Sequence, residues 1–398
     1  RAGSTEGTMN FDKLFHRKGL GSKKWDEAHI YTGVTAERSL PMWVADMDFQ
    51  PPACVIDTAR RITEAGDFGY FCRMEEFYAS VAWWQENRHG WTIDPRWCLT
   101  TFGLGNAIAI TLQTFSQPGD AVAFFTPVYH EFQMKTERNG RVARHLPLAK
   151  EGGKYVLDWE AYDALMTGAE KILIISSPHN PAGRVWTRDE LKAIADFCVK
   201  HDLLLISDEI HNDLVHPGHT HIPMAVACPE ILDRLIMMNS ASKTFNLAGL
   251  RTGNVIIPDE ALRRRFAHAL SALDMSPNLY GVRMTEAAYS PEGAAWVDAL
   301  CGYIADNAKV MAEGIAQIPG LSFMPMESTY LAWIDFAGTG MSVDEFTARV
   351  RDDAHIGTSP GAPFGTGGET CLRFNIGTQR SRVIEAVERL QVAFKDLQ

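Results

Sequence analysis

The sequence predicts an α/β fold in which a mostly parallel sheet carries helices on both faces and a smaller α+β domain follows. Short aliphatic runs at residues 171–176 and 203–207 are typical of buried strands. They alternate with helical patterns such as residues 188–201, as parallel strand-helix-strand units do. From about Pro291 the pattern changes to one long amphipathic helix and an α+β tail.

Five aliphatic runs and three apolar stripes justify the individual elements. The runs predict strands at residues 121–126, 171–176, 203–207, 235–240 and 253–257. A further helix is expected to begin near Pro258, because proline suits the first turn of a helix. Apolar residues at helical spacing indicate core-facing stripes. These stripes are Leu262, Phe266 and Leu270; Trp296, Leu300, Ile304 and Met311; and Val383, Val387 and Leu390.

Length and composition set the domain plan. With 398 residues, of which 46% are hydrophobic, the chain can bury one large core and a smaller one. We expect a large domain at 51–290 and a small α+β domain at 291–398, with 9–50 belonging to the small domain. Residues 1–8 precede Met9 and lack an apolar signal core, so we interpret them as an expression-tag remnant.

Charge and hydropathy limit the partners. The formal net charge of −11 argues against nucleic acid or an anionic membrane as the main partner, because either would require a basic face. No run approaches the ~20 apolar residues that a membrane-spanning helix needs. The expected location is therefore cytoplasmic.

Lys243 lies in the most informative stretch of the chain, SASKTFNLAGLR at residues 240–251. A lysine amine can form a Schiff base with an aldehyde. Ser240, Ser242 and Arg251 can neutralise a phosphate group. The stretch therefore indicates a site for a phosphorylated aldehyde, pyridoxal 5'-phosphate (PLP), although a solvated lysine in a serine-rich loop is an alternative when the stretch is taken alone.

Two predicted strand ends supply partners for this cofactor. Asn180 follows the run that ends at residue 176, and its amide can donate to the ring oxygen. Asp208 ends the next run, where an acid facing the pyridine nitrogen would keep it protonated and make the ring an electron sink. Asp208 alone could equally be a helix N-cap. Asn180, Asp208 and Ser240 all follow strands at the edge where open α/β sheets bind ligands.

Several motifs occur in order between about Asn10 and Leu390. They are PMWVADMDF at 41–49, FGY at 68–70, HGW at 89–91, TPVY at 126–129, SDEIH at 207–211 and KTFNLAG at 243–249. On these motifs the chain resembles fold-type I PLP enzymes of the class I and II aminotransferase superfamily. The greatest similarity is to the cystathionine β-lyase-like C-S lyase branch.

The resemblance implies a role for each matching residue around the cofactor. Lys243 would form the Schiff base and serve as general base, with Asp208 at the ring nitrogen and Tyr129 stacked on the ring. Cofactor contacts are also implied for Asn180, His211, Ser240, Ser242 and Arg251, and for the backbone amides of Gly103, Leu104 and Gly105 at a helix N-terminus.

The resemblance also implies the substrate contacts and the assembly. Arg373 would clamp the substrate α-carboxylate, since a two-pronged guanidinium suits a planar anion. Val44, Ala45 and Asn180 would border the substrate. Tyr70 is expected to reach the phosphate of a neighbouring subunit, which implies a homodimer.

Three segments depart from the family pattern. Phe102 and Asn106 stand where relatives commonly place prolines, so the phosphate loop is expected to differ. Thr378 and Gln379 replace a frequent Cys-Pro pair. The pair at residues 130–131, histidine and glutamate, replaces apolar residues or proline near the substrate pocket.

The functional hypothesis is a PLP-dependent C-S β-lyase that converts cystathionine or a cysteine S-conjugate to a thiol, pyruvate and ammonia. A class I/II aminotransferase is the alternative. A nicotinamide-dependent oxidoreductase is remote, because GLG at 103–105 lacks the third glycine of the fingerprint. A non-catalytic PLP-binding protein is a further alternative. The histidines at 211, 216, 219 and 221, with Asp208 and Asp213 nearby, resemble a metal site. No metal is expected, because residues 216–219 are interpreted as a turn and Asp208 is assigned to the cofactor.

Overall fold

The structure is a computed structural model that describes residues 9–35 and 37–398. The interpretation of residues 1–8 as a tag remnant falls outside them. The strands are β1 Leu40–Pro41, β2 Cys98–Thr101, β3 Ala121–Thr126, β4 Val142–Pro147, β5 Ala149–Glu151, β6 Lys154–Val156, β7 Glu170–Ser176, β8 Leu204–Asp208, β9 Leu235–Asn239, β10 Gly253–Ile256, β11 Ser322–Phe323, β12 Leu331–Asp335, β13 Ile356–Gly357, β14 Ser359–Pro360 and β15 Cys371–Asn375. The main sheet has seven of these strands in the order β2-β10-β9-β8-β7-β3-β4. The strands from β9 to β4 pair in parallel, and β10 is antiparallel to both of its neighbours.

Two separate cores cover the two faces of this sheet. Ile172 and Ile174 of β7 belong to one buried cluster, whereas Leu173 and Ile175 belong to the other. Successive side chains of a strand point to opposite faces, so both faces are covered. The helices are Lys23–Asp26, Ala28–Thr32, Ala53–Ala65, Met74–His89, Leu104–Phe115, Glu131–Arg138, Trp159–Leu165, Arg188–Lys200, Met224–Ala227, Ala241–Thr244, Glu260–Ala272, Leu279–Ala288, Pro291–Ile315, Val343–Ala348 and Arg380–Ala393.

Local capping explains where several helices begin. Thr187 and Glu190 form a capping box at the start of Arg188–Lys200. The side chain of Asp259 accepts from the Leu262 amide and caps Glu260–Ala272. The predicted helix near Pro258 is therefore present, and its first helical residue is Glu260.

The C-terminal part forms a second sheet of four antiparallel strands in the order β11-β12-β15-β14. Helices Pro291–Ile315 and Arg380–Ala393 pack together beside it, and their predicted apolar stripes are buried. Arg373 lies in β15, between Trp333 of β12 and Ser359 of β14.

The N-terminal segment is tied down by a short parallel pairing and by a buried carboxylate. β1 pairs with β13. Asp48 is fully buried and contacts Lys24 Nζ at 3.0 Å, Arg17 Nη1 at 3.1 Å and Trp25 Nε1 at 2.8 Å. Burial alone would raise the pKa of Asp48, but the Lys24 charge and the hydrogen bonds lower it.

Within the described ranges, no helix is long and apolar enough to cross a membrane.

Candidate active site

The site is a cavity of about 470 Å³ at the carboxyl edge of the main sheet. Most of the residues predicted from the sequence meet there. Those that line it are Ala45, Gly103, Leu104, Gly105, Tyr129, Asn180, Asp208, His211, Ser242, Lys243 and Arg251.

Lys243 reaches this cavity from the short helix Ala241–Thr244, which begins directly after β9. The Ser240 hydroxyl accepts from the Ser242 amide at 3.1 Å and caps the helix. Lys243 Nζ donates to the Ala45 carbonyl at 2.7 Å. Burial and the nearby Arg373 charge lower the pKa of Lys243 to about 8, against the attraction of Asp46 and Asp208. A substantial fraction of the amine is therefore neutral near physiological pH, as a nucleophile or base requires.

Asp208 is the last residue of β8 and is 5% exposed. Its carboxylate accepts from the Ile210 amide at 3.2 Å. Burial raises the pKa of Asp208 to about 7, although this hydrogen bond and the Lys243 charge oppose the rise. A cationic group that bound in the cavity beside Asp208 would stabilise the charged form of this carboxyl group.

Arg373 and Asn180 form the polar wall beside Lys243. Arg373 Nη1 donates to Asn180 Oδ1 at 3.2 Å, and Nη2 donates to the Trp43 carbonyl at 3.0 Å. The guanidinium also lies over the ring of Phe364, 5.0 Å from its centroid. Burial lowers the pKa of Arg373 to about 10.

The Arg373 guanidinium can still bind an anion. In residues 9–35 and 37–398, its Nε is buried without a hydrogen-bond partner, and no carboxylate forms an ion pair with it. A buried guanidinium without a counter-charge favours an incoming carboxylate.

The opposite end of the cavity is lined by the loop before helix Leu104–Phe115. Gly103 has a φ of 88°, which favours glycine, and a side chain on Gly253 would collide with Thr101, Leu104 and the Gly103 backbone. Asn106 Oδ1 accepts from the Phe102 amide at 3.0 Å. This side-chain bond closes the loop at the two positions where prolines were expected in relatives.

Four predicted residues lie outside the cavity lining. The Ser240 hydroxyl bonds the Thr252 carbonyl at 2.6 Å and the Ser242 hydroxyl at 2.8 Å. The Val44 carbonyl accepts from Asn375 Nδ2 at 2.7 Å. Arg373 contacts Asn180 as described, and the Tyr70 side chain is fully exposed. Their contacts with cofactor or substrate stay predictions.

The remaining predicted ring contacts face the cavity. The Tyr129 amide donates to the Asn180 carbonyl at 3.0 Å, which fixes Tyr129 beside Asn180. His211 is 3% exposed, and its Nδ1 has no partner among the described residues. Burial lowers the pKa of His211 to about 3, so its ring is neutral.

Sequence reasoning missed two groups at the site. Lys135 lines the cavity beside Gly105 and pairs with Glu131; the i,i+4 spacing of this pair was the available signal. Tyr330 is fully buried and donates to the Ala45 carbonyl at 2.9 Å, a contact across the fold for which the sequence held no signal.

The histidine-rich surroundings do not form a metal centre within the described chain. No group of three or more histidine, cysteine, aspartate or glutamate side chains is placed to hold an ion there. His216 Nε2 bonds the Thr329 carbonyl at 2.8 Å, and His221 Nε2 bonds Glu209 at 2.8 Å. His130 is neutral because burial and the Arg373 charge lower its pKa to about 4.

Known proteins resemble the chain over nearly its whole length. Cystathionine beta-lyase PatB of Bacillus subtilis is 35% identical over 388 residues, covering 97% of this chain and 100% of that protein. Cystalysin of Treponema denticola, whose crystal structure contains PLP, superposes with a TM-score of 0.93 at 33% identity, covering 98% of this chain and 99% of that one. The PLP-bound C-S lyase of Staphylococcus hominis superposes with a TM-score of 0.90 at 28% identity, covering 97% and 98%.

These likenesses confirm the predicted fold-type I architecture and the resemblance to C-S lyases. The family model for aminotransferase class I and II matches residues 41–390, which is most of the chain. The chain therefore belongs to the aminotransferase class I and II family.

Proposed function

We propose that this protein is a PLP-dependent C-S β-lyase that converts cystathionine or another L-cysteine S-conjugate to a thiol, pyruvate and ammonia. The observation that carries the proposal is that Lys243 and Asp208 line one cavity and that Arg373 bonds Asn180 of the same lining. An amine, an acid and an anion clamp at one edge of the sheet are the groups that chemistry at an amino-acid Cα requires.

The residues present fit PLP. The buried Asp208 carboxylate has acceptor capacity beyond its one amide bond, and the buried His211 Nδ1 is unpartnered in the described chain. Gly103, Gly105 and Arg251 would hold the phosphate, with Tyr129 on the ring. When bound, the cofactor supplies an electron sink for the carbanion formed at the substrate Cα. The PLP-bound relatives agree with this cofactor.

Arg373, Lys243 and Asn180 have separate roles in binding the substrate and moving its proton. Arg373 binds the substrate α-carboxylate and so orients the Cα-H bond towards Lys243. The Lys243 amine removes the proton from Cα, which its lowered pKa of about 8 allows near neutrality. Asn180 Oδ1 accepts from Arg373, so its Nδ2 remains to donate to the ring oxygen.

Aminotransfer is the second candidate, because the matching family model describes aminotransferases. The test follows the absorbance of the bound cofactor while L-cystathionine is consumed without any keto acid. The lyase assignment predicts that the visible band is restored when the substrate is exhausted. Permanent loss of the band, with recovery only after a keto acid is added, would establish aminotransfer instead.

We further propose that the enzyme is a homodimer in which Tyr70 reaches the phosphate of the neighbouring subunit. Tyr70 is fully exposed and Phe68 is 63% exposed, and both precede helix Met74–His89. Two large rings in water on one loop favour a covering partner. Sedimentation should give twice the chain mass, and Tyr70→Phe should weaken PLP binding without separating the subunits.

A further inference from the structure

Residues 42–49 form a backbone segment that contacts both of the groups assigned to the chemistry. The Trp43 carbonyl accepts from Arg373 Nη2 at 3.0 Å. Two residues later, the Ala45 carbonyl accepts from Lys243 Nζ at 2.7 Å. The segment therefore links the carboxylate clamp, Arg373, to the base, Lys243.

Asn246 lies in residues 240–251, the lysine loop that carries Lys243, and its side chain holds this segment. Its Oδ1 accepts from the Met47 amide at 2.8 Å, and its Nδ2 donates to the Met47 carbonyl at 2.6 Å and to the Phe49 carbonyl at 3.0 Å. All three bonds run to one stretch of backbone nearly two hundred residues away along the chain. Asn246 lies only three residues after Lys243. The base and the side chain that holds the segment therefore belong to the same loop.

Other residues hold the same segment from the small-domain side. Asn375 Nδ2 donates to the Val44 and Asp46 carbonyls, each at 2.7 Å. Tyr330 shares the Ala45 carbonyl with Lys243. Asn375 follows Arg373 by two residues in β15. The strand that contains the carboxylate clamp is therefore also hydrogen-bonded to the segment. Asn246 is the matching attachment on the lysine side.

We propose that Asn246 is a positioning residue that fixes the 42–49 segment against the lysine loop and thereby sets Lys243 and Arg373 at the separation that an α-amino acid requires. This inference rests on the proposed function for the identity of the ligand, and it goes beyond that function in assigning Asn246. The hydrogen bonds of the Asn246 side chain go to the backbone of Met47 and Phe49, so Asn246 acts through the segment.

The test uses Asn246→Gly in the PLP-loaded enzyme. Asn246 has a φ of 58°, a conformation that glycine adopts without strain, so this variant removes the amide and spares the backbone. Asp274→Gly is the matched control, because Asp274 has a φ of 52° and lies just after helix Glu260–Ala272, outside the site.

Two readouts are measured together. One is hydrogen exchange of the backbone amides in a peptide covering residues 40–50, with a peptide covering β7 as the global reference. The other is the dissociation constant of L-alanine, read from the cofactor absorbance. L-alanine has no β leaving group, so its binding does not depend on lyase activity.

We expect Asn246→Gly to accelerate exchange in residues 40–50 alone and to weaken L-alanine binding by about tenfold, since several segment-fixing hydrogen bonds are lost. PLP affinity should stay unchanged, and Asp274→Gly should match wild type in both readouts. Faster exchange throughout β7 would make Asn246 a general stability residue and overturn the proposal. So would a change in only one of the two readouts, or in neither. Absence of thiol release by the wild-type enzyme would refute the lyase function and leave this test valid.

Discussion

Replacing Asp208 by asparagine should stabilise the cofactor-free protein while it impairs the loaded enzyme. Burial raises the pKa of Asp208 from 3.8 to about 7 in the cofactor-free state. That rise corresponds to roughly 4 kcal/mol of destabilisation of the charged carboxylate relative to water. Asparagine has a similar shape, can still accept from the Ile210 amide and carries no charge to bury.

The sign of the pH dependence follows from proton binding. Between about pH 4 and pH 7 the folded state keeps a proton on Asp208 that the unfolded chain has lost, so the free energy of unfolding falls as pH rises. The stability that the raised pKa of Asp208 confers is fully present below the unfolded-state pKa of 3.8. It is lost as the pH rises through the folded-state pKa of about 7. Asp208→Asn has no carboxylate to titrate at this position, so its free energy of unfolding does not fall in this way. Near pH 8 it should exceed that of the wild type by up to about 4 kcal/mol.

Urea unfolding of cofactor-free protein at several pH values measures this difference at one fixed protein concentration. Asp213→Asn is the matched control. Asp213 is also a buried acid. Burial alone would raise its pKa, yet the pKa is lowered by the contact with His89, the Arg88 charge and the hydrogen bond from Thr244. Asp213→Asn should therefore destabilise the protein near pH 8, the opposite sign.

In the loaded enzyme, the same Asp208 substitution removes the carboxylate that we propose keeps the ring nitrogen protonated. A loss of about 3 kcal/mol of carbanion stabilisation would slow turnover on the order of 10²-fold. Equal stability of cofactor-free Asp208→Asn and wild type near pH 8, or an unaltered turnover rate, would refute the role given to Asp208.

Three further substitutions test the site and its support. Lys243→Ala should abolish the visible absorbance band of the bound cofactor and nearly all turnover, and normal turnover would refute its assignment as base. Arg373→Lys should raise KM for α-amino acids because a point charge replaces a two-pronged clamp; an unaltered KM would mean that another group holds the carboxylate. Asp48→Ala leaves Lys24 without its buried counter-charge and removes one of the two carboxylates that pair with Arg17, so it should lower the free energy of unfolding by about 3–5 kcal/mol, measured by denaturation. A loss under about 1 kcal/mol would show that the network adds little.

The sequence predicted the central strands and missed the edge strands. β7 and β8 are buried on both faces, so they require continuous aliphatic runs, and these runs are visible without a structure. β2 and β4 close the two edges of the sheet. β4 reads VARHLP, with partly exposed polar positions, and therefore lacks the aliphatic signal of a central strand.

The same distinction applies to the site. Lys243, Asp208 and Asn180 were predictable because each lies at or shortly after the carboxyl end of a strand, and parallel topology gathers these ends at one edge. Asn246 and Tyr330 act through contacts with backbone groups near residue 45, nearly 200 and 300 positions away in the chain. Local patterns carry no information on such pairings, so only the folded structure reveals them.

The most direct test of the proposed function counts pyruvate and free thiol released from L-cystathionine per subunit, with no keto acid present. A C-S β-lyase predicts both products in equal amounts, rising over many turnovers at a steady rate. Pyruvate and thiol that stop at or below one equivalent per subunit, and turnover that resumes only with an added keto acid, would contradict the lyase assignment.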